Sequence, residues 1–273
     1  MTGQTPGRMT FSRGLALGAA WTIVAFMVLP MLVVVPVSFT DTYYLSMPQE
    51  ELSLQHYQNF FQNPRWLTAI WQSTLIALGA TALAVALGTL CAIGCWRIAS
   101  GASDMVRLIM LAPIIVPQIV QALAFYRVWI DFGLIDTYLG VILAHTMIGM
   151  PYVVITVSAA LSNFDVRLEQ AARNLGASMA QTVALVILPR IWPGVASGAV
   201  FVFILSFDEI VTVLFITSRR IQTLPKMIWD GIQEHLDPTI AVVAVIFTVV
   251  VALIVVIDQL LRARAAAVAA RKP

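Results

Sequence analysis

The chain reads as an all-α integral membrane protein with six transmembrane helices, and three observations carry that reading. Hydrophobic residues make up 60% of its 273 residues and charged ones only 11%. With a mean hydropathy of +0.88 the apolar surface exceeds what one soluble core can hold, so a bilayer must act as solvent. Six apolar runs recur along the chain, each long enough for a hydrocarbon layer about 30 Å thick. The sixteen lysines and arginines are also unevenly placed. With the N-terminus inside, only Arg65, Arg127, Arg219, Arg220 and Lys226 fall outside, so the positive-inside rule places both termini in the cytoplasm.

The first run, 15–37, is too long for the apolar centre of a signal peptide and leads into Pro36 and a polar loop, so it is expected to remain uncleaved. The polar, aromatic stretch Thr40 to Pro64 follows as the main outer loop, too short for a domain of its own. The next runs are 67–96, 105–129 and 134–161, with Pro113, Pro117 and Pro151 expected as kinks. The tight connection from Asp131 to Asp136 makes the third and fourth spans antiparallel neighbours. Runs 194–217 and 240–261 complete the set, giving one membrane domain over 1–273 with no internal repeat. Trp66, Trp71, Trp96, Trp129 and Trp192 lie near the ends of spans, as an interfacial belt requires. Cys91 and Cys95 have no His or acid beside them and read as small buried residues.

The segment 162–193 is the polar island on which the chain is organised. Ser162 and Asp165 give a helix start signal, and Leu168, Ala171, Ala172 and Leu175 share one face. Gly176 ends that helix, and Ser178 with Gln181 starts another, which Pro189 and Pro193 are expected to stop. This pattern resembles the EAA motif of binding-protein-dependent ABC importer permeases, E-A-A-x3-G-x9-I-x-L-P, with Ala171, Ala172, Gly176, Val186, Leu188 and Pro189 in register. Gln170 stands where the family usually has glutamate, and Glu169 lies one place earlier. The resemblance implies the type I importer permease fold and a place in the bacterial inner membrane. It further implies that 162–193 is a cytoplasmic coupling loop docking into an ATPase subunit dimer, which binds the ATP and Mg itself. A second homologous permease subunit and an extracytoplasmic solute-binding protein are implied as further partners.

Ionisable groups within a span cost about 2.5–3.5 kcal/mol at mid-bilayer, which singles out Asp208 and Glu209 in the fifth run. They read either as a gate or cation contact in the translocation path, or as acids left at the interface by a helix that ends early. Tyr126 and Trp129 are placed near the outer mouth. His145 either faces the same cavity or bonds to a neighbouring helix. The SFDE tetrapeptide, with the segment from Ser218 to Val245, is similar to spermidine/putrescine-type permease subunits, which implies a polyamine solute. Arg219 and Arg220 depart from that branch, where Gly and Pro are usual. Related importers of iron, thiamine or phosphonate stay open as alternatives, as does a stand-alone secondary transporter with its own coupling-ion site.

Other classes find no support. The two lysines, Lys226 and Lys272, sit in no phosphate-binding G-x-x-x-x-G-K-[ST] loop, so any motor is another chain. His56, His145 and His235 are too scattered for an H-E-x-x-H zinc site, and no nucleophile elbow occurs. No basic stripe for nucleic acid is present.

Overall fold

The structure, a computed structural model, describes residues 7–234 and 237–269. His235, Arg271 and Lys272, used in the sequence reading, lie outside them. Every regular element among the described residues is a helix, and packing divides the chain into two compact units, residues 65–229 and the segments on either side.

In the flanking unit, α1 (Gly7–Val37) is the first apolar run. Its described side chains are exposed over most of its length, as suits a helix solvated by lipid or a partner. The loop after it contains α2 (Gln55–Gln62), whose Phe60 and His56 are buried. The Asp41 carboxylate accepts the backbone N–H groups of Gln49 and Glu50, and Tyr57 shares a hydrogen bond of 2.8 Å with Ser38. Asn59 donates to Thr239 at the start of the last helix (Thr239–Ala269), tying the loop to that span.

The central unit holds the remaining spans. α3 (Pro64–Ile98) is followed by α4 (Gly101–Ile115), which opens on a Ser100–Ser103 capping box. Where the sequence predicts one span over 105–129, the chain bends by 105° between α4 and α5 (Gln118–Phe132). The cause is Pro117. Val116 before it is held at ψ 128, the extended conformation that a following proline imposes, and no N–H is available to carry the helix on. The Gln121 amide donates to the freed carbonyls of Pro113 and Val116 at 2.7 and 2.8 Å. Pro113 and Pro151, by contrast, lie inside continuous helices, the latter within α6 (Tyr138–Ser162).

The fifth span also departs from expectation. After α7 (Val166–Asn174) and α8 (Met179–Thr182), the prolines at 189 and 193 do not stop the helix. A π-helical turn, Val183–Ile187, is inserted, in which the Leu188 N–H reaches the Val183 carbonyl five residues back. The wider turn gives the Pro189 ring room that an α-helical carbonyl four residues back would deny it. The helix then continues as α9 (Leu188–Asp208), so the span begins well before Gly194. It ends at Glu209, and α10 (Val211–Ile216) and α11 (Leu224–Glu234) follow before α12 (Thr239–Ala269). Among the described residues, five helices are long and apolar enough to cross a membrane, six if the bent pair is one span.

The core of this unit forms where α9 crosses α6. Cβ atoms on Gly194 and Gly198 would stand 2.8 Å from the Thr156 carbonyl oxygen and 3.1 Å from the Val153 Cα respectively, so the backbones meet without intervening side chains. Val153, Val157, Leu161, Ile187, Ile191, Val195 and Val202 fill the space around this contact with Ala84, Ala92 and Ile93 of α3. A second cluster joins Phe125 and Trp129 to Val141, Ile148, Val213 and Ile216. Trp66 and Trp129 are therefore core residues, not members of an interfacial belt.

Candidate functional site

Two features of the central unit carry the functional candidates, one at each end of α9. The first is the segment from Ser162 to Leu188. Ser162 does not cap α7, because its hydroxyl donates to the Ala159 carbonyl. The cap is Asp165, whose carboxylate accepts the Arg167 N–H at 3.0 Å. At the other end the Gly176 N–H bonds to the Arg173 carbonyl and the Ala177 N–H to the Ala172 carbonyl. That pair of bonds is a Schellman closure and requires the left-handed residue supplied by Gly176 at φ +88°. The spacing from Ala172 to Gly176 is thus a helix-stop geometry. The Ser178–Gln181 capping box then starts α8.

Glu169 holds this pair of helices to the spans. It is buried, and its carboxylate lies 2.6 Å from the Arg97 guanidinium at the end of α3, an ion contact too oblique for an aligned hydrogen bond. Phe164 meets Trp96 edge-on at 5.7 Å beside it. Glu169 thus makes a charge contact within the chain, and Gln170 is exposed. Leu168, Ala171 and Leu175 are left exposed, Leu175 at 89%, with Ala172 half-buried. Leu188 packs on the core and Pro189 is exposed. A cleft of about 380 Å³ lies under the loop, lined by Phe164, Asp165, Leu168, Arg190 and Pro193 among others.

At the far end of α9, about 30 Å away along the helix axis, the two helix breaks face one cavity of about 400 Å³. Gln118, Tyr152, Phe201, Asp208 and Glu209 line it with apolar residues of α9 and α10. Asp208 is exposed, whereas Glu209 is buried. One Glu209 oxygen accepts the Thr212 N–H at 2.8 Å, capping α10, and the other accepts the Gln118 side-chain amide across the break. The Tyr152 and Phe201 rings stack at 6.5 Å on the same wall.

The other sequence candidates lie elsewhere. His145 is buried with Nδ1 2.7 Å from the Ser206 hydroxyl, bonded to a neighbouring helix and not lining the cavity. Trp129 donates its indole N–H to the Gly140 carbonyl at 2.9 Å, and Tyr126 is exposed on α5; neither lines the cavity. Cys91 and Cys95 are free thiols, and no group of three His, Cys, Asp or Glu suited to a metal occurs among the described residues.

Sequence reasoning missed Gln118, Arg97 and Asp136. Asp136, at φ +56°, accepts four backbone N–H groups from Ser218 to Ile221 at 2.9–3.2 Å. Burial pushes its carboxyl up, but the four N–H donors outweigh this and hold it below the usual range. An aspartate in a tight connection gave no sign of so distant a partner.

The family described as binding-protein-dependent transport system inner membrane component matches residues 84–267, which include both ends of α9. The chain belongs to that family. It is therefore a multi-pass inner-membrane permease component of a transport system that depends on a binding protein. Among curated relatives, the spermidine/putrescine transport system permease protein PotC of Haemophilus influenzae is 29% identical over 88% of this chain and 93% of its own length. The putrescine transport system permease protein PotI of Escherichia coli K12 is 26% identical over 88% of each. A bacterial ABC transporter involved in import of the acidic polysaccharide alginate superposes with a TM-score of 0.66 at 13% identity, covering 96% of this chain and 99% of its own, which establishes the fold.

Proposed function

We propose that this chain is one permease subunit of an ATP-driven importer of a polyamine or a similar small organic cation. The observation that carries the cation reading is the cavity at the two helix breaks, where Asp208 is exposed, Glu209 stands behind it and the aromatic pair Tyr152 and Phe201 forms the wall. Carboxylates supply charge-assisted bonds to ammonium groups, and ring faces attract alkylammonium chains. The relatives named for spermidine and putrescine support the same solute class. The termini and the 162–193 loop lie in the cytoplasm. There the exposed Leu168, Ala171 and Leu175 dock on an ATPase dimer that binds ATP and Mg. α9 carries the resulting motion to the cavity. A second permease subunit and a soluble binding protein complete the importer.

The deciding experiment reconstitutes the chain with the ATPase, second permease and binding protein and measures labelled spermidine and putrescine uptake. Asp208→Asn should lower uptake at least tenfold with assembly intact, since a charged hydrogen-bond partner is lost. Unaltered uptake in that variant removes the acid from the path.

A further inference from the structure

We infer that Gln118 is a displaceable latch on Glu209, whose place on the carboxylate is taken by an ammonium group of the solute, so that arrival of solute releases one helix break from the other. The inference rests on the translocation reading given above for the same cavity. Its basis is the unequal standing of the two partners of Glu209. The Thr212 N–H lies three residues away and belongs to the helix that the carboxylate caps, so it is fixed by local geometry. The Gln118 amide comes from 91 residues away, across the break at Pro117, on a residue that is exposed. It is also neutral. A primary ammonium in the same position brings a full positive charge to the carboxylate where the amide brings only a dipole, while the displaced amide is rehydrated at little cost.

Position supports the exchange. Asp208, one residue before Glu209, is exposed on the same cavity and meets an entering cation first, while Glu209 is masked behind Gln118. Gln118 opens α5 directly after the 105° bend, and Glu209 sits in the extended link between α9 and α10. The Gln118–Glu209 bond therefore joins the start of α5, just after one helix break, to the link between α9 and α10, and α10 packs against α5 behind it. Breaking it loosens that contact at the end of α9 opposite the coupling loop. Solute in the cavity would thus be reported along α9 to the motor.

The test uses the assembled permease–ATPase complex in detergent, without binding protein, with spermidine as probe. Gln118→Ala and the near-isosteric Gln118→Met remove the competing donor, so spermidine Kd should fall about tenfold and solute-independent ATP hydrolysis should rise. Gln118→Lys tethers an ammonium on Glu209 and should weaken spermidine binding below that of the wild type. A residue that merely shaped the cavity would move all three in one direction. Unchanged Kd and basal hydrolysis in Gln118→Ala and Gln118→Met, with Asp208→Asn still impaired, overturns the latch alone. Wild-type uptake in Asp208→Asn removes the path, and the latch with it.

Discussion

At the scale of single residues, a charged group held by fixed backbone donors makes stability depend on pH. Asp136 shows why. Its carboxylate replaces water with four N–H groups of residues 218–221, which favours the ionised form, so its pKa in the folded chain lies below the usual value of about 3.8. A carboxyl whose folded pKa is lowered contributes stability that is fully present above its unfolded value and is lost as pH falls through the lowered one. The melting temperature of the solubilised protein should therefore exceed that of Asp136→Asn by a constant margin at neutral pH. The margin should close as the pH drops below the ordinary carboxylate range. A margin that stays unchanged down to about pH 3 would mean that it does not come from the ionised carboxylate, and no margin at any pH would mean that the amide holds the 218–221 turn as well as the carboxylate does. Of the residues in the candidate sites, those recognised in the sequence were either acids in apolar surroundings, as Asp208 and Glu209 were, or members of a spaced motif, as Ala172 and Gly176 were. Gln118 and Arg97 carried no such mark, since a glutamine after a proline and an arginine at a helix end are ordinary until the partner 91 or 72 residues away is placed beside them.

At the scale of elements, glycine has two distinct uses. Gly176 has open space around it and is needed for its backbone, at φ +88°. Gly194 and Gly198 have ordinary helical dihedrals and are needed for lack of a side chain, because α6 passes within contact distance. The two uses predict different failures. Gly194→Val forces α6 and α9 apart and should cost about 1–3 kcal/mol or more, visible as a lower melting temperature and poor assembly. Gly176→Ala strains only the turn after α7, so the permease should insert and assemble while uptake per ATP hydrolysed falls. The ratio of uptake to hydrolysis separates the two; an equal loss of assembly in both variants would deny the turn its separate role. The sequence conveyed the helices on either side of Gly176 through their capping residues. It misread the prolines: Pro117 broke a span that was expected to kink, and Pro189 was absorbed by a π turn that no local pattern announces. Proline states that a hydrogen bond is missing, and the neighbouring turns decide how the chain accommodates the loss.

At the scale of the whole molecule, the family and the helical fold were legible because hydropathy and one motif are properties of the chain alone. The cavity was not, because it exists only where two helix breaks from different parts of the chain meet. The coupling to an ATPase proposed for it depends on sidedness, for which charge asymmetry is the physical argument: five of sixteen basic residues are assigned to the outer side. Ser178 tests that assignment well. It is exposed, and its hydroxyl accepts only the weak 3.3 Å bond from the Gln181 N–H. Replacement of both native cysteines by alanine, followed by Ser178→Cys, leaves one thiol to report from the loop. In intact cells a membrane-impermeant maleimide should leave it unlabelled, and in inverted membrane vesicles the same reagent should label it, less so when the ATPase subunit is bound. Labelling from the outside of intact cells would put the loop on the face without ATP, and the lever formed by α7 to α9 would have no motor to drive it.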